Sequence, residues 1–400
     1  PDLDVMRGTN GDGQYAPRGG AWGGPEMHDL VLKGGRVIDP AQNLDAIADV
    51  AFAAGKVAAV GDDLGPAGEV RDASGLLVVP GLIDLHTHVY WGGASLGVDP
   101  DAYARPSGIT TLIDAGTAGA ANIAGFRRHV IERAEVRIRP FLHISFPGIY
   151  AFSRYFMVPE SGDLRLLDPE ACRDAAREHS DLVVGIKVRL GRSGSGDSGI
   201  APMDIALEVA ATLDLPLMTH LDTPPPGRGE VMQRLRPGDI LTHCFRPWPN
   251  APVAPDASVQ TDVRAARSRG VIFDIGHGKG SFGFATAMAM MKQGFLPDVI
   301  SSDVHVLSID GPAFNLLETM SKFLHLGMPL GEIIRASSIN AARAVRLTDR
   351  GTLAAGLLGD ATVLAIEEGR FTFTDVLGEE MHGTGRFVCR GAVLNGRWWH

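Results

Sequence analysis

The sequence predicts an α/β protein, a distorted TIM (β/α)8 barrel with a small β-sandwich domain built from both chain ends. Through the middle of the chain, short β-like runs alternate with segments of helical character, which indicates parallel strands. Eight such units close into a barrel. Both ends instead carry short β runs separated by turns, and neither end is long enough to form a core alone. A chain of 400 residues with 45% hydrophobic content can bury both cores.

The predicted barrel strands all end in or near polar residues. They span 82–88, 109–114, 136–143, 182–187, 215–220, 239–243, 271–276 and 298–303. The predicted domains follow from this pattern: a flexible Gly- and Pro-rich leader at 1–26, sandwich segments at 27–80 and 349–400, and the barrel at 81–348.

Composition excludes several classes of protein. The net charge of −10 and the lack of a basic patch argue against nucleic-acid binding. The three cysteines, Cys172, Cys244 and Cys389, have no pair spacing, which favours a reducing compartment. The sequence contains no long apolar run and no secretory signal pattern. We therefore expect a cytoplasmic homo-oligomer that acts on a small-molecule substrate, without a membrane or nucleic-acid partner.

The strand at 82–88 ends in two histidines one residue apart, within Gly-Leu-Ile-Asp-Leu-His-Thr-His at 81–88. Side chains alternate along a strand, so His86 and His88 point the same way and can bind one metal ion. The pair alone is weak evidence, because two histidines fall at this spacing by chance. The residues at the other strand ends decide between a metal-binding pair and a chance spacing.

Four further barrel strands carry a polar residue at or near the carboxyl end. These residues are Lys187, His220, His243 and Asp303. Active sites of such barrels lie at the carboxyl ends of the strands, so all six side chains are expected to meet at one mouth. The set predicts a metal centre, since six unrelated buried polar groups would each need its own partner.

With these residues in place, the sequence resembles the amidohydrolase superfamily of metal-dependent hydrolases from about residue 28 onward. The motifs His-Thr-His-Val-Tyr-Trp-Gly-Gly at 86–93, Gly-Ile-Lys-Val-Arg at 185–189 and Ser-Ser-Asp-Val-His at 301–305 are similar to the amidohydrolase/deacetylase branch. This branch includes hydrolases of acetylated 2-hydroxy acids. The resemblance implies two divalent metal ions, expected to be zinc (Zn2+), with histidine ligands His86 and His88 for the first ion and His220 and His243 for the second.

The resemblance also implies that Lys187, carboxylated by carbon dioxide, bridges the two ions, and that Asp303 completes the first site and is the catalytic general base. Burial among positive neighbours should keep the amine of Lys187 neutral, and a neutral amine can form a carbamate. Paired metals lower the pKa of a bridging hydroxide, whose proton Asp303 can accept during attack. The alternatives are a salt-bridging lysine and an aspartate that caps a helix.

Three residues near the mouth are candidate substrate contacts, each with a structural alternative. Arg189 shares the inward direction of Lys187 and suits a carboxylate, although it could close the strand-loop junction by a salt bridge. His277 lies in a glycine-rich loop and either contacts substrate or stabilises the loop. Tyr90 could stabilise an oxyanion or pack beneath the first loop.

The function expected from these residues is hydrolysis of an acyl amide or ester bond, with deacetylation leading, in a small and carboxylate-bearing substrate. One alternative is a cyclic-amide hydrolase similar to dihydroorotase or hydantoinase. Another is a non-catalytic scaffold, which is disfavoured because such proteins are expected to lose metal ligands, and all six candidates are present.

Overall fold

The computed structural model describes residues 27–400, so the predicted leader lies outside the described residues. Strands from both chain ends form one mixed sheet. They are β1 (His28–Asp39), β2 (Leu44–Ala53), β3 (Lys56–Gly61), β4 (Ala67–Asp72), β5 (Leu77–Pro80), β13 (Ala361–Thr374), β14 (Glu380–Leu394) and β15 (Arg397–Trp398). Their order in the sheet is β15-β14-β13-β5-β1-β2-β3, with β4 paired to β1.

The two chain ends meet where β13 runs antiparallel to β5, with Ala361 opposite Pro80. Buried apolar residues from both ends, including Leu32, Phe52 and Val363, form one cluster. The joint sheet agrees with the expectation that the ends fold together. Its arrangement as a two-layered sandwich and the domain limits given above stay predictions.

The barrel is a second, curled sheet whose neighbouring strands pair in parallel in the order β12-β11-β10-β9-β8-β7-β6. Its strands are β6 (Leu82–Thr87), β7 (Ile109–Asp114), β8 (Arg137–His143), β9 (Gly185–Leu190), β10 (Leu217–Leu221), β11 (Ile240–Leu241) and β12 (Ile272–Phe273). A buried apolar cluster takes Ile83, Phe141, Met218 and Ile240 from four of these strands. Side chains therefore fill the barrel.

The eighth predicted strand, 298–303, is not a strand in the described structure. This segment nevertheless closes the ring through single parallel bridges, from Val299 to Asp274 and from Val304 to Thr87. Asp303 has a φ of 48°, and this left-handed conformation interrupts the extended backbone that continuous pairing requires. The left-handed residue of the closing segment is the one predicted to be catalytic.

The fourth barrel strand is also displaced from its predicted range of 182–187. The amides of Leu182 and Val183 both donate to the carbonyl of His179, which holds them in the turn after the preceding helix. The strand therefore begins at Gly185, and Lys187 lies inside it rather than at its end.

Helices connect and surround the barrel strands. They are α1 (Pro100–Ser107), α2 (Ile123–Phe126), α3 (Pro169–Glu178), α4 (Ala201–Thr212), α5 (Arg228–Arg234), α6 (Thr261–Ser268), α7 (Phe284–Lys292), α8 (Leu316–His325), α9 (Leu330–Ala336) and α10 (Ile339–Ala344). Polar residues begin several of them: Asp99, Asp168 and Asn315 each accept a hydrogen bond from a backbone N–H of the first turn. None of the helices within 27–400 is both long and apolar enough to span a membrane.

Candidate metal centre and active site

The six side chains that the sequence predicts as metal ligands line one cavity of about 280 Å³. They are His86, His88, Lys187, His220, His243 and Asp303. Three of them lie within strands β6, β9 and β10, and the other three lie directly beyond barrel strands or in the closing segment. The structure thus brings the whole predicted set together at one end of the barrel.

His86, His88 and Asp303 form the tightest part of this set. Nε2 of His86 and Nε2 of His88 lie 3.2 and 3.3 Å from the same Oδ1 atom of Asp303. One donor atom from each residue lies within 4.8 Å of the others, and all three side chains are buried. Ligands bound to one zinc ion at about 2.0–2.2 Å surround it at comparable separations. The three donors therefore fit one divalent cation.

His86 and His88 each form a hydrogen bond from Nδ1 to a threonine hydroxyl, and each threonine is in turn bonded to an aspartate. The two chains of contacts are His86–Thr242–Asp274 and His88–Thr117–Asp114. The Nδ1 to Oγ1 distances are 2.7 and 2.8 Å, and each threonine hydroxyl donates to its aspartate. Nδ1–H must then donate to the threonine, which leaves the Nε2 lone pair free to bind a metal.

His220 and His243 form a second group, with ring centroids 4.5 Å apart. Nδ1 of His243 lies 2.6 Å from the carbonyl of Gly276, so its Nε2 carries the lone pair. Nε2 of His220 lies 3.5 Å from Oδ2 of Asp222. Burial is the largest cause of a lowered pKa at both histidines. Neutral imidazoles are the form that binds metal ions.

Lys187 is 1% exposed and lies near both histidine groups, since its charge contributes to the lowered pKa of each of the four histidines. Its Nζ atom is buried and has no hydrogen-bond partner among the described residues. Burial lowers the pKa of this amine from 10.5 to about 7. Gly116 leaves room for the side chain, since a Cβ atom at that position would lie 2.5 Å from Cβ of Lys187. An unsatisfied buried amine of this kind is costly, and carboxylation with metal binding would satisfy it.

Asp303 owes its position to two backbone features. Its φ of 48° departs from the extended backbone of the neighbouring strands. Gly278 packs so closely that a Cβ atom there would lie 2.2 Å from Oδ2 of Asp303. Burial raises the pKa of Asp303 to about 6. A carboxyl group that titrates near neutrality suits proton transfer.

Arg189 lies two residues beyond Lys187 on β9 and also lines the cavity. Its Nη1 atom donates to both carboxylate oxygens of Glu160, at 3.1 and 3.0 Å. Glu160 is buried and lies 3.3 Å from Nε2 of His143. Burial alone would raise the pKa of Glu160, but Arg189 and His143 more than offset it and leave the pKa lowered. The ion pair that the sequence left as an alternative for Arg189 is therefore present.

Tyr90 and His277 do not line the cavity. Tyr90 is buried, stacks on Phe126 at a centroid distance of 4.6 Å, and donates to the carbonyl of Asn122. The ring of His277 is fully buried against Phe282, and its Nε2 accepts a hydrogen bond of 2.8 Å from Nζ of Lys322. These placements correspond to the structural alternatives for both residues, and their contact with substrate stays a prediction.

The sequence reasoning missed Glu160, Asp222 and Arg246. Asp222 and Arg246 line the cavity, and Glu160 lies behind Arg189. Asp222 could have been found, because it lies two residues after His220 just as Arg189 follows Lys187. Glu160 lies in a long connection without a regular pattern, so no local signal identifies it.

The chain is similar to known proteins over most of its length. Two models of the amidohydrolase family match residues 69–131 and 252–382. The chain is 36% identical over 342 residues to deacetylase Atu3266 of Agrobacterium fabrum, covering 85% of this chain and 83% of that protein. The chain belongs to the amidohydrolase family. It is also 33% identical to a deacetylase of Brucella anthropi, covering 88% of each chain.

Solved structures of similar amidohydrolases confirm the barrel. A structure described as an adenine deaminase has a TM-score of 0.86 and 31% identity, covering 93% of this chain and 99% of its own. One described as a dihydroorotase has a TM-score of 0.84 and 33% identity, covering 92% and 98%. The activities named for these proteins differ, so the comparisons show a hydrolase family that acts on C–N bonds rather than one substrate.

Proposed function

We propose that this amidohydrolase is a binuclear metal-dependent deacetylase, which cleaves an acyl amide or ester bond of a small carboxylate-bearing substrate. The observation that carries the proposal is the convergence of six donor side chains on one cavity, among them the buried amine of Lys187, which has no hydrogen-bond partner within residues 27–400. The deacetylase names of relatives that match most of the chain favour acyl transfer to water.

In this proposal, His86, His88 and Asp303 would hold one divalent cation, and His220 and His243 would hold the other. Lys187, carboxylated to a carbamate, would supply oxygen ligands to both sites. Two bound zinc ions would supply an activated water and polarise the scissile carbonyl. The residues of the chain supply the rest: Asp303 takes the proton from water and delivers it to the leaving nitrogen or oxygen.

The cavity also supports the carboxylate-bearing part of the proposal. Two arginines, Arg189 and Arg246, line it together with the apolar side chains Leu96, Ile149, Phe152, Met157 and Leu307. A small substrate with one anionic group and one apolar group is complementary to such walls.

The first test is metal content. Protein produced with zinc supplied should contain about two zinc ions per chain by elemental analysis. After exchange with ¹³C-labelled bicarbonate, it should show a carbamate resonance by NMR that is absent in Lys187→Ala. Metal-free protein under these conditions would contradict the proposal and favour a non-catalytic scaffold.

A second candidate function is hydrolysis of cyclic amides, favoured by the likeness to a structure described as a dihydroorotase. A substrate panel separates the two functions. Acetylated hydroxy and amino acids should be turned over, whereas dihydroorotate and hydantoin should not. The reverse pattern would replace deacetylation by ring opening and leave the metal centre unchanged.

A further inference from the structure

Two arginines line the cavity, but their charges are balanced differently. Arg189 is bonded through Nη1 to both oxygens of Glu160, whose side chain is 1% exposed. The pair is therefore close to neutral before any ligand binds. An anion that approaches Arg189 also experiences the fixed negative charge of Glu160 directly behind it, which weakens the attraction.

Arg246 has no such partner among the described residues. It lies three residues beyond His243 and is only 9% exposed. One Nη1 donor contacts the carbonyl of Leu221, while Nε is buried without a hydrogen-bond partner among residues 27–400. No carboxylate of the described chain lies within ion-pair distance of its guanidinium.

Asp222 is the acidic residue whose charge acts on Arg246, and it raises the arginine pKa against the larger lowering effect of burial. Its carboxylate is directed toward His220, at 3.5 Å from Nε2. Asp222 therefore balances Arg246 only in part. A guanidinium that is nine-tenths buried without a direct ion pair is unfavourable, and a bound anion would relieve this cost.

The other basic residues of the cavity are weaker candidates. Lys279 is exposed, and its Nζ donates to the carbonyl of Gly311, so water and salt screen its charge. Nδ1 of His305 accepts a hydrogen bond of 3.1 Å from the amide of Leu307, so that ring carries only one proton and is neutral. Among the described residues, Arg246 is the buried arginine that lines the cavity and still has donor groups without a partner.

We propose that Arg246 binds the anionic group of the substrate and sets the preference for charged over neutral substrates. Arg189 is paired with Glu160. It therefore shapes the cavity wall and contacts substrate, but it does not distinguish charged from neutral substrates. This inference rests on the proposed function, because it assumes that an acylated acid occupies the cavity.

The test compares an acid with its neutral amide. The assay uses O-acetyl-3-phenyllactate and O-acetyl-3-phenyllactamide with zinc-loaded wild type, Arg246→Met, Arg246→Lys and a matched control, Arg189→Met/Glu160→Gln, which removes both charges of the ion pair. Arg246→Met should lower kcat/KM for the acid by about tenfold to a hundredfold, mostly through KM, because a charge-assisted contact is lost. The amide should change by less than about threefold on the same reasoning. Lysine should restore part of the loss.

Arg189→Met/Glu160→Gln leaves the net charge of the pair unchanged and should change kcat/KM for both substrates by the same factor. Equal losses for acid and amide in Arg246→Met would overturn the inference, as would a charge-selective loss confined to the double variant. Metal content and thermal unfolding of each variant show whether the fold is intact. Arg246→Lys keeps a donor for the carbonyl of Leu221 and so remains informative if Arg246→Met unfolds.

Calorimetric titration with 3-phenyllactate and 3-phenyllactamide gives the same comparison without turnover, since neither molecule has a scissile acyl bond. Selective loss of acid binding in the Arg246 variants would support the inference even if wild type hydrolyses neither acetylated probe. In that case the proposed reaction fails while the anion site stands. Unchanged acid binding in those variants would overturn the anion site alone.

Discussion

The substitution Gly278→Ala tests whether the position of Asp303 controls activity. A Cβ atom on Gly278 would lie 2.2 Å from Oδ2 of Asp303, whereas ordinary contacts begin near 3.4 Å. The carboxylate must therefore move by about 1.2 Å, and misplacement of a reacting group by about 1 Å can reduce the rate a hundredfold. The φ of 54° at Gly278 adds a backbone cost of about 1–2 kcal/mol for alanine.

The matched control is Gly280→Ala in the same loop, because a Cβ atom there meets no atom within 4 Å. Steady-state assays on an acetylated substrate should show kcat reduced by about a hundredfold in Gly278→Ala and little changed in Gly280→Ala. Thermal unfolding should show that both variants are folded at the assay temperature. If Gly278→Ala keeps more than half of the wild-type kcat, or if the control loses as much, then Asp303 is not the position-sensitive group that the geometry indicates.

Three further predictions concern the centre itself. Asp303→Asn should keep the fold and most bound metal but lose about a hundredfold or more in kcat, because an amide cannot accept the proton; near-normal activity would exclude Asp303 as the base. Thr242→Val and Thr117→Val should each weaken zinc affinity by about tenfold to a hundredfold in competition with a chelator, since each removes the contact that orients a histidine; unchanged affinity in both would contradict the inferred ligand orientation. Lys187→Met should stabilise metal-free protein in carbon dioxide-free buffer by roughly 4 kcal/mol at pH 7. The pKa of Lys187 falls from 10.5 to about 7 on folding, so the unfolded chain binds more protons than the folded chain between pH 7 and pH 10.5. The free energy of unfolding of the wild type therefore rises over this range. The stability difference in favour of Lys187→Met, measured by chemical denaturation, should disappear as the pH rises toward 10.5.

The metal-ligand candidates could be predicted from the sequence because they depend on local patterns. His86, His88, His220 and His243 each lie within or next to a short apolar run, and the barrel geometry carries the ends of such runs to one place. Their convergence needs only the alternation of strands and helices.

The groups that surround the centre could not be predicted in the same way. Glu160 reaches Arg189 from a connection without a repeating pattern, so its contact depends on tertiary packing alone. The left-handed backbone at Asp303 breaks the predicted eighth strand, and non-glycine residues adopt that conformation only where their surroundings impose it. Sequence reasoning therefore fails first where the chain departs from regular structure.

The closing segment of the barrel has a consequence for how the centre assembles during folding. The amide of Asp303 donates to the carbonyl of His86, and the amide of His88 donates to the carbonyl of Val304. Beside them, the amide of Ser302 donates to Oδ1 of Asp84, which lies 218 positions earlier in the chain. Such distant contacts form late in folding because of their loop-closure entropy. In a chain whose barrel has not closed, the carboxylate of Asp303 does not lie beside His86 and His88. Tight metal binding should therefore begin only when the native barrel is complete.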